Sequence, residues 1–176
     1  MAFEDYRQAF ADVAGSSGYD PAALAAQAWQ ESRFNPAAVS PAGARGLMQF
    51  MPATWEWAKT MGFIPANADP FNPLHSIQAG AGYMKWLIEY FSTAANPFHM
   101  ALAGYNCGQG RVKKAIATAG GSTWAKVKPY LPAETQDYVE KITARIPIYQ
   151  AVYGVAKSVI PSALIVILAG FLASRS

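Results

Sequence analysis

Hydrophobic positions along the chain recur at the spacing of short amphipathic helices, and glycine or proline separates one helix from the next. The first stripe consists of Phe3, Tyr6, Phe10 and Val13, and it stops at the Gly-Ser-Ser-Gly segment 15–18. Further helices are predicted after Pro21, from Pro52 to Gly62, after Pro73, after Pro97, from Val112 to Ala119 and from about Ala133. The pattern predicts an all-α protein.

The helix after Pro21 carries a carboxylic acid at the end of its apolar stripe. Leu24, Ala28 and Glu31 are spaced i, i+4 and i+7, and the Asn-Pro pair that follows predicts a helix end just beyond Glu31. Loss of water on this face would raise the pKa of the carboxyl group, and a protonated acid near neutral pH can donate a proton to a leaving group. The alternative is a partly exposed glutamate paired with Arg33 or Arg45.

Four motifs follow one another along the chain: Glu31-Ser32 with Ser40; Gly46-Leu47-Met48-Gln49; Ala103-Gly104-Tyr105-Asn106-Cys107-Gly108; and Glu134-Thr135 with Tyr138-Val139. In order and spacing they resemble the motifs of the soluble lytic transglycosylase (SLT) domain, a lysozyme-like domain that cuts bacterial peptidoglycan. The resemblance extends from roughly Tyr19 to Ile146. It implies an all-α, lysozyme-like fold of the kind found in goose-type lysozymes and lytic transglycosylases.

The resemblance implies that Glu31 is the catalytic residue. It further implies that eight motif residues bind the glycan: Ser32, Ser40, Met48, Gln49, Tyr105, Asn106, Glu134 and Tyr138. Glu31 would protonate the β-1,4 link between N-acetylmuramic acid and N-acetylglucosamine, and a 1,6-anhydro product would form without water. No second acid lies in the loop after Glu31, whereas an ordinary retaining glycosidase needs one about 5 Å away.

Two other functions remain open for the same motifs. The first is a lysozyme-type muramidase, which would hydrolyse the same bond. The second is a catalytically silent membrane protein that only binds glycan. The intact Glu31-Ser32 pair argues against the silent protein, because a pure binder does not need a desolvated acid. The identity of the saccharide products distinguishes the transglycosylase from the hydrolase.

Composition narrows the choice of cofactors and partners. A chain of 176 residues has room for one domain with a proper core. Its net charge of +3 is mild and its basic residues are scattered, so we expect no nucleic acid partner. The single cysteine, Cys107, excludes an internal disulfide, and together with His75 and His99 it makes a poor set of metal ligands. We therefore expect no metal and no cofactor.

The C-terminal segment is much more apolar than the rest. No residue from Ser158 to Ser174 is charged, and charged residues make up only 14% of the whole chain, against about 25% on average. We predict a catalytic domain at residues 1–146 and a hydrophobic tail at 147–176, whose helix is long enough to cross a bilayer, which takes about 17–25 residues. A buried helix in an oligomer and a membrane-disrupting tail are the alternatives.

The tail also suggests a biological setting. No secretory signal pattern occurs at the N-terminus of the sequence. Together with the hydrophobic tail, this favours a membrane-associated member of the family in a phage virion, where it would open the cell wall locally for genome entry. A bacterial envelope protein of a conjugation or secretion assembly is the alternative. The predicted partners are peptidoglycan strands, a membrane and other proteins of the virion or of an envelope-spanning assembly.

Overall fold

Helices make up all of the regular secondary structure that the structure, a computed structural model, describes for residues 2–157. The α-helices are α1 Arg7–Ser17, α2 Pro21–Ser32, α3 Pro52–Thr60, α4 Pro73–Tyr90, α5 Pro97–Cys107, α6 Gln109–Ala119, α7 Trp124–Val127 and α8 Ala133–Lys157. Two 3₁₀ turns, Phe3–Asp5 and Lys128–Tyr130, complete the set. The all-α prediction is confirmed, while the short α7 was not predicted.

Capping residues explain where α2 begins and ends. The Asp20 carboxylate accepts the backbone N–H of Ala22, and Pro21 occupies the first helical position. The helix ends at Ser32 because Arg33 adopts a left-handed conformation with φ of 54°. Glu31 therefore lies in the last turn, as its position before the Asn-Pro pair predicts.

The core forms between α2, α4, α5 and α8, because α8 packs against both α2 and α5, and α4 packs against α5. The segment of α2 from Ala22 to Ala28 is buried throughout, and its mostly small side chains let α8 approach closely. Ile77, Met84 and Leu87 on α4 are fully buried, which agrees with its prediction as a central helix. The interface between α2 and α8 is the most extensive contact between helices in residues 2–157.

Two glycines of α4 accept side chains from other parts of the chain. A Cβ atom on Gly80 would lie 2.7 Å from the Cε of Met48, and one on Gly82 would lie 2.6 Å from the Cγ of Phe63. We predicted that these glycines permit close helix packing. In the structure the side chains that approach these glycines are not on helices: Met48 lies before α3 and Phe63 lies after it.

The last helix continues past the predicted division between residues 146 and 147. It runs through Pro147 to Lys157, and Tyr149 and Val152 on it are buried against the domain. None of the helices described in residues 2–157 combines the length and the apolar character that a membrane crossing requires. The predicted membrane-crossing run from Ser158 onward lies outside the described residues.

The loop between α2 and α3 makes a turn that depends on glycine. Gly46 has a φ of 76°, and a Cβ atom there would lie 1.9 Å from the carbonyl oxygen of Pro70. We expect Gly46→Ala to lower the free energy of unfolding by about 2–4 kcal/mol, because backbone strain adds to a clash with a second backbone segment. Urea denaturation measures the effect.

Gly15→Ala is the matched control for this substitution. Gly15 is an exposed residue within α1, and a Cβ atom there would meet nothing within 4 Å. The same added methyl group should stabilise the protein by up to about 1 kcal/mol through helix propensity. Equal effects of the two alanines would contradict the tight turn at Gly46.

Candidate active site

A short hydrogen bond between α2 and α8 marks the candidate site. The Tyr138 hydroxyl donates to the Oε1 of Glu31 at 2.5 Å. Burial raises the pKa of Glu31 to about 8 from an ordinary value of 4.5; the hydrogen bond from Tyr138 opposes this shift, and the nearby charge of Glu134 adds to it. The Glu31 carboxyl group is therefore mostly protonated at neutral pH.

Two further residues extend this contact into a chain of hydrogen bonds. The Tyr19 hydroxyl donates to the Oε1 of Gln27 at 3.2 Å, and the Nε2 of Gln27 donates to the Tyr138 hydroxyl oxygen at 3.4 Å. Because the oxygen of Tyr138 accepts from Gln27, its single hydrogen is directed to Glu31. The Oε1 of Glu31 then acts as an acceptor, which places the acid proton on Oε2.

The sequence motifs do not include Gln27 and Tyr19. Gln27 is fully buried in a helix segment made otherwise of alanine and leucine, and it lies one turn before Glu31 on the same face. A lone amide in such a segment requires buried hydrogen-bonding partners. That requirement was a usable signal, although the sequence does not reveal that Tyr138, 111 residues away, is one of the partners.

The motif residues after Glu31 hold the α2–α3 loop in place. The Ser32 hydroxyl donates to the carbonyl oxygen of Leu47 at 2.8 Å. The side-chain amide of Gln49 donates to the carbonyl oxygens of Gly46 at 2.8 Å and Ala38 at 3.1 Å. Both amide hydrogens of Gln49 are engaged in this way, while its Oε1 has no partner among the described residues.

Met48 requires a correction. We predicted that Met48 lines the cleft and binds the glycan, but its side chain is fully buried and packs against Gly80. What Met48 contributes to the site is its backbone: its N–H donates to the Ser76 hydroxyl, and its carbonyl oxygen accepts from the Tyr105 hydroxyl at 2.8 Å. The side chain supports the loop from beneath.

Tyr105 lies beside Glu31, whereas Asn106 and Ser40 make other contacts. Burial raises the pKa of Tyr105 well above its usual value, and the charge of Glu31 adds to this effect, so the hydroxyl stays protonated. The Oδ1 of Asn106 accepts from the Thr135 hydroxyl at 2.7 Å, while its amide nitrogen has no hydrogen-bond partner in residues 2–157. The Ser40 hydroxyl accepts the N–H of Ala44 at 3.0 Å and has no bond to Glu31 or Tyr138 in the described residues.

The charged residues near Glu31 in the described part of the chain do not form a salt bridge with it. No salt bridge joins Glu31 to Arg33 or Arg45 within the part of the chain that the structure describes, so the alternative of a paired glutamate is wrong. The guanidinium of Arg33 instead lies 3.3 Å from the ring centre of Trp29. Glu134 is exposed in the first turn of α8, close enough to raise the pKa of Glu31.

The arrangement can perform acid chemistry at neutral pH. It contains one partly buried carboxylic acid whose proton is on a defined oxygen, and two tyrosine hydroxyl groups that remain neutral. Burial also raises the pKa of the Cys107 thiol, which disfavours the thiolate that a nucleophile requires. A reaction that starts by protonating a leaving group fits these properties best.

Comparison with known proteins gives consistent matches. The family described as "Transglycosylase SLT domain" matches residues 8–127. The membrane-bound lytic murein transglycosylase F of Thiobacillus denitrificans is 40% identical over 136 residues, which cover 73% of this chain and 27% of that protein. The 70 kDa soluble lytic transglycosylase of Escherichia coli matches 85% of this chain and 24% of its own, with a TM-score of 0.74 and 29% identity.

A second solved structure agrees with the first. It is an inactive mutant of the lytic transglycosylase Slt from Pseudomonas aeruginosa, with a TM-score of 0.75 and 26% identity over 85% of this chain and 24% of that protein. The chain thus spans about a quarter of the length of these relatives. The similarity covers the lysozyme-like helical domain, and the remainder of each relative has no counterpart in the match.

The effect of replacing Gln27 on the free energy of unfolding should depend on whether the Tyr19 hydroxyl is present. Gln27→Leu would leave the Tyr19 hydroxyl without an acceptor and should lower the free energy of unfolding by about 1–3 kcal/mol. A protein that already carries Tyr19→Phe has no Tyr19 hydroxyl to leave unpaired. Gln27→Leu should therefore lower the free energy of unfolding by less in that protein. Urea denaturation of the four proteins measures the coupling.

The control is Gln8→Leu on α1. The Gln8 amide donates to Asp12 at the exposed surface, so its loss should change stability by less than about 0.5 kcal/mol. Additive effects of the Gln27 and Tyr19 substitutions would contradict a direct bond between these side chains.

Proposed function

The chain belongs to the transglycosylase SLT domain family, and on this basis we propose that it is a peptidoglycan lytic transglycosylase. Its substrate is the β-1,4 bond between N-acetylmuramic acid and N-acetylglucosamine, and its product ends in 1,6-anhydromuramic acid. One observation carries the proposal: Glu31 is held protonated beside Tyr138, with a pKa of about 8.

In the first step Glu31 acts as a general acid. The proton on its Oε2 passes to the oxygen of the glycosidic bond, and the bond to the anomeric carbon of muramic acid breaks. The carbonyl oxygen of the neighbouring N-acetyl group attacks that carbon, so the sugar itself replaces the second carboxylate that retaining glycosidases use. The hydrogen bond from Tyr138 stabilises the carboxylate that Glu31 becomes.

In the second step Glu31 acts as a general base. Its carboxylate takes the proton of the 6-hydroxyl of muramic acid, and the 6-oxygen attacks the anomeric carbon while the N-acetyl oxygen leaves. A 1,6-anhydro ring forms, Glu31 recovers its proton, and no water is consumed. One residue thus performs both proton transfers, which suits a pKa near neutrality.

The remaining motif residues are proposed to bind or shape the glycan site. The amide oxygen of Gln49 and the amide nitrogen of Asn106 have no hydrogen-bond partner in residues 2–157, so they can bond a sugar hydroxyl and an N-acetyl carbonyl. The Ser40 hydroxyl donates to no group in the part of the chain that the structure describes, so its hydrogen can bond the N-acetyl group. Ser32 acts indirectly, because its hydroxyl fixes the loop that carries these groups.

A lysozyme-type hydrolase is the second candidate function. The observation that favours it is Glu134, an exposed acid close enough to Glu31 to raise its pKa, because a hydrolase needs a second acid to activate water. A silent glycan binder is less well supported, because a protonated acid at this site has no role in binding alone.

The cellular setting remains a prediction. Two facts support action next to a membrane: the uncharged sequence from Ser158 to Ser174, and the relative that is named membrane-bound. We infer that the enzyme opens the wall locally, in a virion during phage genome entry or else in a bacterial envelope assembly. Glycan strands and a membrane are its proposed partners.

The reaction predicts both its products and its pH dependence. Purified peptidoglycan digested with the full chain should release saccharides ending in 1,6-anhydromuramic acid, identified by mass spectrometry without reduction. Activity should fall as the pH rises through about 8, because Glu31 then loses the proton that it must donate. Glu31→Gln should lower the rate by at least about 1,000-fold, since its amide cannot transfer a proton.

The control is Glu89→Gln, which neutralises an exposed glutamate on α4 that forms no salt bridge in the described residues. This variant should keep full activity. Products heavier by one water would instead favour the hydrolase and give Glu134 a direct role. Full activity of Glu31→Gln would exclude Glu31 as the acid.

A further inference from the structure

Trp29, in the last turns of α2, carries a positively charged group on each face of its ring. The central guanidinium carbon of Arg33 lies 3.3 Å from the ring centre, and that of Arg145 on α8 lies 3.2 Å from it. Two carbon atoms cannot both lie this close above one face without overlapping, so the guanidinium groups occupy opposite faces. The three side chains form an arginine–tryptophan stack that joins the end of α2 to α8.

The two arginines of this stack have no carboxylate partner. No salt bridge in residues 2–157 includes Arg33 or Arg145. The Nε of Arg145 is buried without a hydrogen-bond partner among the described residues, although the guanidinium also bonds with the Tyr149 hydroxyl. Burying an unpaired cationic donor costs free energy, and the contact with the indole offsets that cost. The stack is thus a specific contact rather than a chance approach of surface side chains.

A strained turn follows the proposed catalytic acid within two residues. Arg33 and Phe34 both have left-handed backbone conformations, with φ of 54° and 62°, although neither is a glycine. Such conformations cost free energy and persist only where the surrounding structure holds them. Phe34 is held by burial among aromatic rings of the N-terminal segment and α8. Arg33 is held by its contact with Trp29, one turn earlier in α2.

Two contacts with α8 fix the last turn of α2 from different sides. Residues two apart on a helix project in different directions, so Trp29 and Glu31 lie on different sides of α2. Tyr138 of α8 bonds to Glu31. Two turns later on α8, Arg145 stacks on Trp29. Either contact alone would let the turn rotate about the helix axis, whereas the two together fix the direction of the Glu31 carboxyl group.

We propose that Trp29 is a positioning residue, which the two arginines fix against α8 so that Glu31 keeps a constant distance and angle to the glycosidic oxygen. Both faces of the Trp29 ring are covered, so they are not available to pack on the glycan. A displacement of about 1 Å at a reacting group can lower a rate on the order of 100-fold, so a small rotation of this turn matters. This inference rests on the proposed function and adds how the fold keeps the acid aligned.

The test compares steady-state digestion of purified peptidoglycan by the full chain and by its Trp29→Leu variant. We expect kcat to fall on the order of tenfold while KM changes by less than about twofold, because the acid is misaligned but the glycan contacts remain. Trp29→Phe keeps a flat ring between the arginines and should retain kcat within about threefold. The matched control is Trp124→Leu, which removes a partly buried tryptophan that contacts His99 instead, and kcat should not change.

A pH titration of Glu31 separates positioning from a simple loss of stability. If the last turn of α2 loosens, water reaches the carboxyl group and burial raises its pKa less, so the midpoint in Trp29→Leu should lie below that of the parent chain. Trp124→Leu should keep the parent midpoint. The titratable groups that face Glu31 are the same in every variant: Tyr138 and Glu134 on α8, and Tyr105 on α5. A merely structural tryptophan would lower the free energy of unfolding without moving kcat or the midpoint.

Arg145 provides a second pair of variants in case Trp29→Leu does not fold. Arg145→Met removes the charge at similar length and should lower kcat, whereas Arg145→Lys keeps a cation over the ring and should retain most of it. Equal kcat in these two variants would overturn the inference.

The remaining outcomes separate this inference from the proposed function. An unchanged kcat and midpoint in folded Trp29→Leu would overturn the positioning role alone, and so would an equal loss of kcat in Trp124→Leu. A parent chain that releases no anhydro products would overturn the proposed function. In that case the Glu31 midpoint still tests the stack, and equal midpoints in the parent chain and Trp29→Leu would overturn the inference as well.

Discussion

The contact between Tyr138 and Glu31 is the interaction on which the rest of the site depends. It holds the Glu31 carboxylic acid at the interface between α2 and α8, where burial disfavours the charged form of the acid. The tyrosine hydroxyl partly offsets that effect because it donates to the acid, so the pKa comes to about 8 rather than higher. The acid is thus protonated at rest and can still lose its proton during a reaction.

Several features of the fold maintain this contact. Small side chains along α2 let α8 lie close, and Gln27 directs the Tyr138 hydroxyl toward Glu31. On the other side, Ser32 and Ser76 attach the α2–α3 loop to α2 and α4. Each bond satisfies a polar group that would otherwise be costly to bury. The helical frame therefore serves mainly to hold one acid in one environment.

Much of this arrangement could be predicted from local sequence. Asp20 and Pro21 indicate where α2 begins, and the spacing of Leu24, Ala28 and Glu31 indicates which face the acid occupies. The family motifs correctly identified the lysozyme-like fold. The bond from Gln27 to Tyr138 was not predictable, because it depends on how α8 packs against α2 more than 100 residues later.

Other parts of the prediction failed or remain predictions for physical reasons. Met48 was expected at the glycan because its motif borders the cleft, yet its backbone faces Tyr105 while its side chain fills the space above Gly80. A motif locates a segment but not the direction of each side chain. The roles of the glycan-binding residues and of the segment after Lys157 stay predictions.

The most direct measurement is a pH titration of the Glu31 carboxyl group in the carbon-13-labelled full chain. The chemical shift of the Glu31 Cδ reports the protonation state, and the Glu31→Gln variant assigns the signal. We expect a midpoint of about 8, because burial keeps the acid protonated through neutral pH. A midpoint near the ordinary value of 4.5 would mean that Glu31 is a solvated carboxylate at neutral pH, and would contradict a single-acid mechanism.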